Sequence, residues 1–253
     1  MNNKIVIILS AIILSIGVFG AGFSIGKGFY LTRFLNRTIT VKGLTERDVK
    51  SDLGIWEIDY REMGNTLPDL YQRLQNDQNQ VVDFLKKHGF KQEEISVQPI
   101  KLDDKLANAY QSNSESTVID PRYILTGGVR LRSEQVRLIQ ETNQALGTLI
   151  AQGISLVDMG NINPNPSYYY TKLDSIRPSM MAEATKSARS VADQFAQDAH
   201  ANLGGIQRAS QGVFQIMGRD TSNLSADWNS TQSALGSIDK KIRLVTTIDY
   251  QIK

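Results

Sequence analysis

The residues of this chain that could do chemistry are few and scattered. Its 253 residues include no cysteine. That removes disulfide frameworks, thiol nucleophiles, Cys-ligated zinc and iron–sulfur ligation together. Its two histidines, His88 and His200, fall near the ends of two separate helical patterns. There an imidazole is better explained as a polar or cationic group facing the last carbonyls than as half of a metal or acid–base pair. Adjacent carboxylates at Glu93-Glu94 and Asp103-Asp104 would suit acid–base work on a glycosidic bond, but neighbours in loops and helix starts are ordinarily solvated. No G-x-S-x-G elbow, H-E-x-x-H pair or EF-hand loop occurs. The run Gly22 to Lys27, GFSIGK, has the look of a phosphate-binding loop, yet that motif needs Gly where Ala21 stands and Ser or Thr where Gly28 stands. These absences predict no enzyme, no cofactor and no metal.

What remains is suited to contact. Tyr168, Tyr169 and Tyr170 follow the rigid turn Asn163-Pro164-Asn165-Pro166, and three consecutive aromatics cannot all face one core. Either two pack under a helix or the cluster forms an interface patch, where Tyr supplies large area at low entropy cost. Gly22 and Gly26 form a Gly-x-x-x-Gly pattern that allows close helix approach in lipid. The pair Gly127-Gly128 inside a strand pattern predicts a bulge or a close backbone approach, and with it a cleft for a small ligand as the alternative function. Tyr168, Tyr169, Tyr170, Gly22 and Gly26 are the expected oligomer contacts.

Positioning these groups takes a membrane segment and a folded domain. From Ile5 to Gly26 there is no charge over twenty-two residues, bounded by Lys4 and Lys27. A helix of that length crosses a hydrocarbon layer of about 30 Å. A cleaved export signal is the competing reading, and the length of the apolar run favours an uncleaved anchor. Lys27, Arg33 and Arg37 follow the segment, which on charge alone would retain the domain in the cytoplasm. The short charged head followed at once by an apolar run points the other way, and the expectation taken is a single-pass inner-membrane protein with its C-terminal domain in the periplasm. Setting aside residues 1–27 removes Lys4 and Lys27 and no acid from 28 basic and 26 acidic residues, so the remainder is neutral. A neutral domain has no polybasic footprint for nucleic acid.

The expected organisation is an anchor over 1–28, a linker over 29–37 and one domain over 38–253. Alternating apolar residues predict strands at 38–44, 55–62, 95–100, 123–132, 154–159, 206–216 and 241–252. Helical spacing predicts helices opening at Thr66 and stopping at Gly89, opening at Ser133 and stopping at Gly153, and running from about Ser179 to Leu203. The first helix has an apolar stripe interrupted by the polar run Gln75 to Gln80, and the third is rich in alanine. The order from the second strand to the fifth reads βαββαβ. The fold expected is therefore α+β: an antiparallel sheet with a split-βαβ core, an additional Ala-rich helix and C-terminal strands, preceded by one transmembrane helix. Residues 103–120 and 219–236 read as irregular insertions.

Three stretches together resemble the SIMPL-domain family. They are ITVKGLTERDVKSDLGIWEI at Ile39–Ile58, FLKKHGFKQEEISVQPIKL at Phe84–Leu102, and SMMAEATKSARSVADQFAQDAHANLGGIQRASQG at Ser179–Gly212. The resemblance implies a bacterial envelope protein without enzymatic activity or cofactor, linked to stress defence, and in some members assembled into rings. The leading expectation is thus a membrane-anchored, self-associating envelope protein that holds lipid through Ile5 to Gly26. An accessory subunit of a larger envelope complex, with an unidentified protein partner, is a further alternative.

Overall fold

The structure is a computed structural model that describes residues 13–27, 37–107, 120–157, 165–219 and 234–252. Residues 13–27 form helix α1. The elements that follow are β1 (Thr38–Lys50), β2 (Leu53–Gly64), α2 (Leu67–Lys87), a 3-10 turn (Gln92–Glu94), β3 (Ile95–Asp104), β4 (Tyr123–Ser133), α3 (Val136–Gln144), α4 (Gly147–Ala151), β5 (Ser167–Tyr169), α5 (Leu173–Asp198), β6 (Leu203–Gln211), β7 (Gln215–Gly218) and β8 (Asp239–Ile252). They build two four-stranded sheets. One has the order β1-β8-β6 with β7 also paired to β8, and the other has the order β3-β4-β2-β5.

The chain divides into two compact units, Met1–Glu46 with Arg177–Phe214 and Arg243–Lys253, and Arg47–Ile176 with Gln215–Ile242. In the second unit, β2 turns Trp56, Ile58 and Tyr60 inward against Leu70, Leu74, Val81, Phe84 and Leu85 of α2 and Leu125, Val129 and Leu131 of β4. Period-two and period-3.6 patterns meet there on one apolar layer. Gly89, at φ +99°, ends α2 in the left-handed conformation that a Cβ would disfavour.

In the first unit, α5 buries Met180, Ala184, Ala188, Ala192 and Ala196. Val41, Ile248 and Tyr250 are the buried strand residues clustered with Ala188 and Ala192, with Ile39 and Leu203 packed against them. Methyl groups along the helix let its backbone approach the strands closely, and Gly43 of β1 completes the approach. A Cβ there would stand 1.9 Å from the Ala184 carbonyl oxygen and 2.8 Å from the Ala188 nitrogen.

The α+β class with antiparallel strand pairing agrees with the sequence reading; several details do not. There are two sheets where one was expected. The fifth strand is Ser167–Tyr169 and not 154–159, where Leu156 makes only an isolated bridge to Tyr60 and Met159 lies outside the described residues. Three residues are too few to show an alternation, which is why the sequence hid this strand. The helix expected from Ser133 to Gly153 is broken between Gln144 and Gly147. The Ala-rich helix begins at Leu173 and carries Pro178 within its first two turns. A proline there forfeits one backbone bond, which burial of the alanine face outweighs. The strand expected at 206–216 is two strands, β6 and β7.

The expected membrane helix, Ile5 to Gly26, is only partly described, because residues 5–12 lie outside the described residues. Among the described residues no helix is long and apolar enough to cross a membrane.

Candidate functional site

Register places the chemistry of the second unit on the sheet face opposite its core. Along β2 and β4 the antiparallel partners are Glu57 with Arg130, Asp59 with Gly128, and Tyr60 with Gly127. Neighbouring residues of a strand point to opposite faces. Gly127 therefore shares the core face with Tyr60, and Gly128 shares the open face with Asp59. Close approach marks both glycines: a Cβ on residue 127 would stand 2.7 Å from the buried Tyr60 ring, and one on residue 128 would meet Asp59 Oδ1, the end of a side chain that can turn aside. The sequence signal of a close approach at this pair is thus met twice, once on each face.

Around Gly128 lies a depression of about 210 Å³, lined by Glu57, Asp59, Gln98, Lys101, Thr126 and Arg130 among others. A break in the β3–β4 register between Gln98 and Lys101 carries Lys101 to its rim. Arg130 donates from Nε to Glu57 Oε1 at 2.7 Å, with Nη2 at 2.6 Å from the same oxygen. Burial, reinforced by the Glu57 carboxylate, raises the Asp59 carboxyl above its ordinary range, against the opposing pull of Lys101 and Arg130. The site can hold a small polar group between charges of both signs. Among the described residues no group of three His, Cys, Asp or Glu could hold a metal. Glu57, Asp59, Lys101 and Arg130 were not singled out in the sequence, although the strict alternation of β2 already puts Glu57 and Asp59 on the face away from Trp56.

The remaining sequence candidates are dispersed. Asp104 receives Arg122 at 3.0 and 2.8 Å and caps Leu106 and Ala107, and the Arg122 guanidinium holds its carboxyl below the usual range. Glu94 closes a capping box on Lys91 at 2.8 Å. His88 caps α2, its Nδ1 2.8 Å from the Phe84 carbonyl oxygen. His200 follows the end of α5 at φ 51°. Glu94 and His88 serve the backbone locally, and Asp104 joins two local backbone contacts to its pair with Arg122.

The tyrosines separate. Tyr168 is buried in the core of the second unit, Tyr169 is 37% exposed, and Tyr170 is half-buried. Gly22 and Gly26 lie on α1 with nothing within 4 Å of a Cβ at either.

A different surface stands out in the first unit. The outer side of α5 presents Val191 at 39% and Phe195 at 53% exposure, one turn apart. They border a shallow groove of about 360 Å³ with Ser190, Gln194 and Asp198. Arg189 and Asp193 form an i,i+4 pair on the same helix at 4.0 Å.

The SIMPL family, described as a protein of unknown function (DUF541), matches the chain over residues 39–239. No curated protein matches it.

Proposed function

We propose that this chain, which belongs to the SIMPL family, is a non-enzymatic, membrane-anchored protein of the cell envelope whose folded part self-associates in the periplasm, in the service of stress defence. Self-association rests on the outer face of α5. A surface helix normally turns polar residues to water, whereas here Val191 and Phe195 are open to solvent beside a groove. The occupant argued for is a second copy of the chain. Arg189 and Asp193 supply both signs of charge beside the apolar pair, so two copies of the helix meeting face to face can match each positive group with a negative one. The neutral charge of residues 28–253 adds no long-range self-repulsion.

Light scattering on the full-length chain in detergent tests this. The expected mass at micromolar concentration exceeds one chain, and Phe195→Asp lowers it to that of the monomer. Tyr169→Asp lowers it only if the remaining exposed tyrosine lies in the contact. A wild-type chain that is strictly monomeric overturns the reading, and co-purification with an unrelated envelope protein in fixed ratio favours the accessory-subunit alternative.

Anchoring rests on α1, whose large apolar side chains face outward in every direction; Leu14, Phe19 and Phe23 are each at least 66% exposed. A helix apolar on all sides needs an apolar surround. Continuation of the same composition back to Ile5 gives the length a bilayer needs. Alkaline carbonate washing of membranes is expected to leave the full-length chain in the pellet, with the folded part open to protease in spheroplasts. A soluble product starting near Gly22 would mean a cleaved signal, and protection from protease would reverse the orientation.

Within the second unit we read residues 53–169 as a split-βαβ unit, supported by the strand order β3-β4-β2-β5. The ligand-binding alternative keeps one specific support, the depression over Gly128 with Asp59 at its floor.

A further inference from the structure

At the other end of the second unit, Lys50 from the end of β1, Arg137 and Gln140 from one side of α3, and the segment Gly236 to Asp239 enclose a pocket of about 360 Å³. That volume lies at the small end of ligand sites. Among the described residues neither Lys50 nor Arg137 makes an ion pair, and Asp239 is the only acid lining the pocket.

Behind the same segment lies a third cation. Lys240 is 2% exposed, and its Nζ donates to the Ala234 carbonyl and, at 2.9 Å, to the Ser237 carbonyl. Both partners are neutral, and among the described residues no carboxylate pairs with this enclosed positive charge. A buried charge of this kind is costly unless an anion approaches it. Burial accordingly draws the lysine pKa down to about 8.

Among the described residues, three cations against one acid leave a local charge of about +2, the complement of a dianionic oxyanion. We propose that this pocket binds a phosphoryl group, with Arg137 forking onto its oxygens, Lys50 pairing with it as a point charge, and Gln140 donating an amide hydrogen. Lys240 acts through the turn, as a fixed charge behind the pocket wall. The site is separate from the depression over Gly128 and from the outer face of α5.

The chemistry is that of the phosphoryl group, and its source, a free phosphate or a phospholipid headgroup, is settled by two arms of one experiment on the full-length chain in detergent. In the first arm, inorganic phosphate is titrated calorimetrically at constant ionic strength. In the second, vesicles of an anionic phospholipid replace phosphate, with zwitterionic vesicles as background. Lys50→Gln/Arg137→Gln is compared with Lys86→Gln/Lys87→Gln, which removes the same charge from the exposed end of α2.

Saturable phosphate binding at roughly millimolar half-saturation or tighter, weakened about tenfold or more by the first pair and unchanged by the second, is the expected result. Binding to anionic vesicles alone, with the same dependence on Lys50 and Arg137, assigns the group to a lipid. Absence of binding in both arms overturns the proposal. So does an equal loss in the two double variants, which would reduce the effect to net charge. Circular dichroism of each variant keeps loss of fold distinguishable from loss of the site.

Discussion

Gly43→Ala is expected to loosen the first unit by about 3 kcal/mol, the upper end of the overpacking range. The added methyl would stand 1.9 Å from the Ala184 carbonyl oxygen and 2.8 Å from the Ala188 nitrogen, and both obstacles are helix backbone. A flexible side chain could turn aside, but a helix backbone must translate as a whole. Moving α5 outward opens gaps over Val41, Ile248 and Tyr250, which meet Ala188 and Ala192 with only methyl groups to fill the space. Against a total stability of 5–15 kcal/mol typical of folded domains, such a loss is severe. Gly205→Ala is the control, because nothing lies within 4 Å of a Cβ there, and its expected change is within about 0.5 kcal/mol. Denaturant titration of the two variants checks both values. Equal midpoints for the two would show that α5 does not rest on Gly43.

The second large effect depends on pH and arises from Asp77. On α2 this residue stands three after Leu74 and four before Val81, inside the apolar stripe. It is half-buried, and its Oδ2 is enclosed without a hydrogen-bond partner. Burial, together with the neighbouring Glu62 carboxylate, pushes the Asp77 carboxyl up to about 6, opposed by Arg73, which also pairs with Glu62 at 3.2 Å. A carboxyl whose pKa is higher in the folded chain than in the unfolded one binds its proton more tightly when folded. Its contribution is therefore complete below the ordinary carboxylate range, near pH 4, and is lost as pH rises through about 6. Allowing for solvent screening of a half-exposed group, the loss is roughly 1–2 kcal/mol. Asp77→Asn keeps the shape and removes the titration, so it is expected to be more stable than the parent at pH 7 and to lack this decline. Denaturation midpoints between pH 4 and pH 8 make the comparison, and parallel profiles for the two chains would remove Asp77 as the cause.

Both predictions concern features that were half-visible in the sequence. The polar run Gln75 to Gln80 shows that the stripe of α2 is interrupted. It does not show that Asp77 meets another carboxylate, because Glu62 belongs to a different element and the pairing of faces depends on packing. The Ala-rich spacing of α5 announces a close approach to a flat partner, yet it leaves the partner unnamed. The strand expected at 38–44 would end just past Gly43, whereas β1 runs for thirteen residues and holds Gly43 in its interior.

By itself the sequence determined the strand and helix character of the long periodic segments, the exclusion of cysteine chemistry and the likeness that the family match bears out. Those properties are local or compositional: side-chain period is set by backbone geometry within each element, and an absent residue type is absent in any fold. It also marked Gly127-Gly128 as a place of either a bulge or a close approach, because a strand interior otherwise disfavours glycine, and the structure shows the close approach. The tertiary structure alone decided that the strands form two sheets and that Tyr168 enters the core while Tyr169 stays half in solvent. It alone brought Lys50, Arg137 and the segment before Lys240 around one pocket. These residues lie far apart along the chain, and nothing in the local conformation of any of them encodes the others. Their meeting follows from which apolar faces are buried against each other, a choice made by the free energy of the whole packed chain.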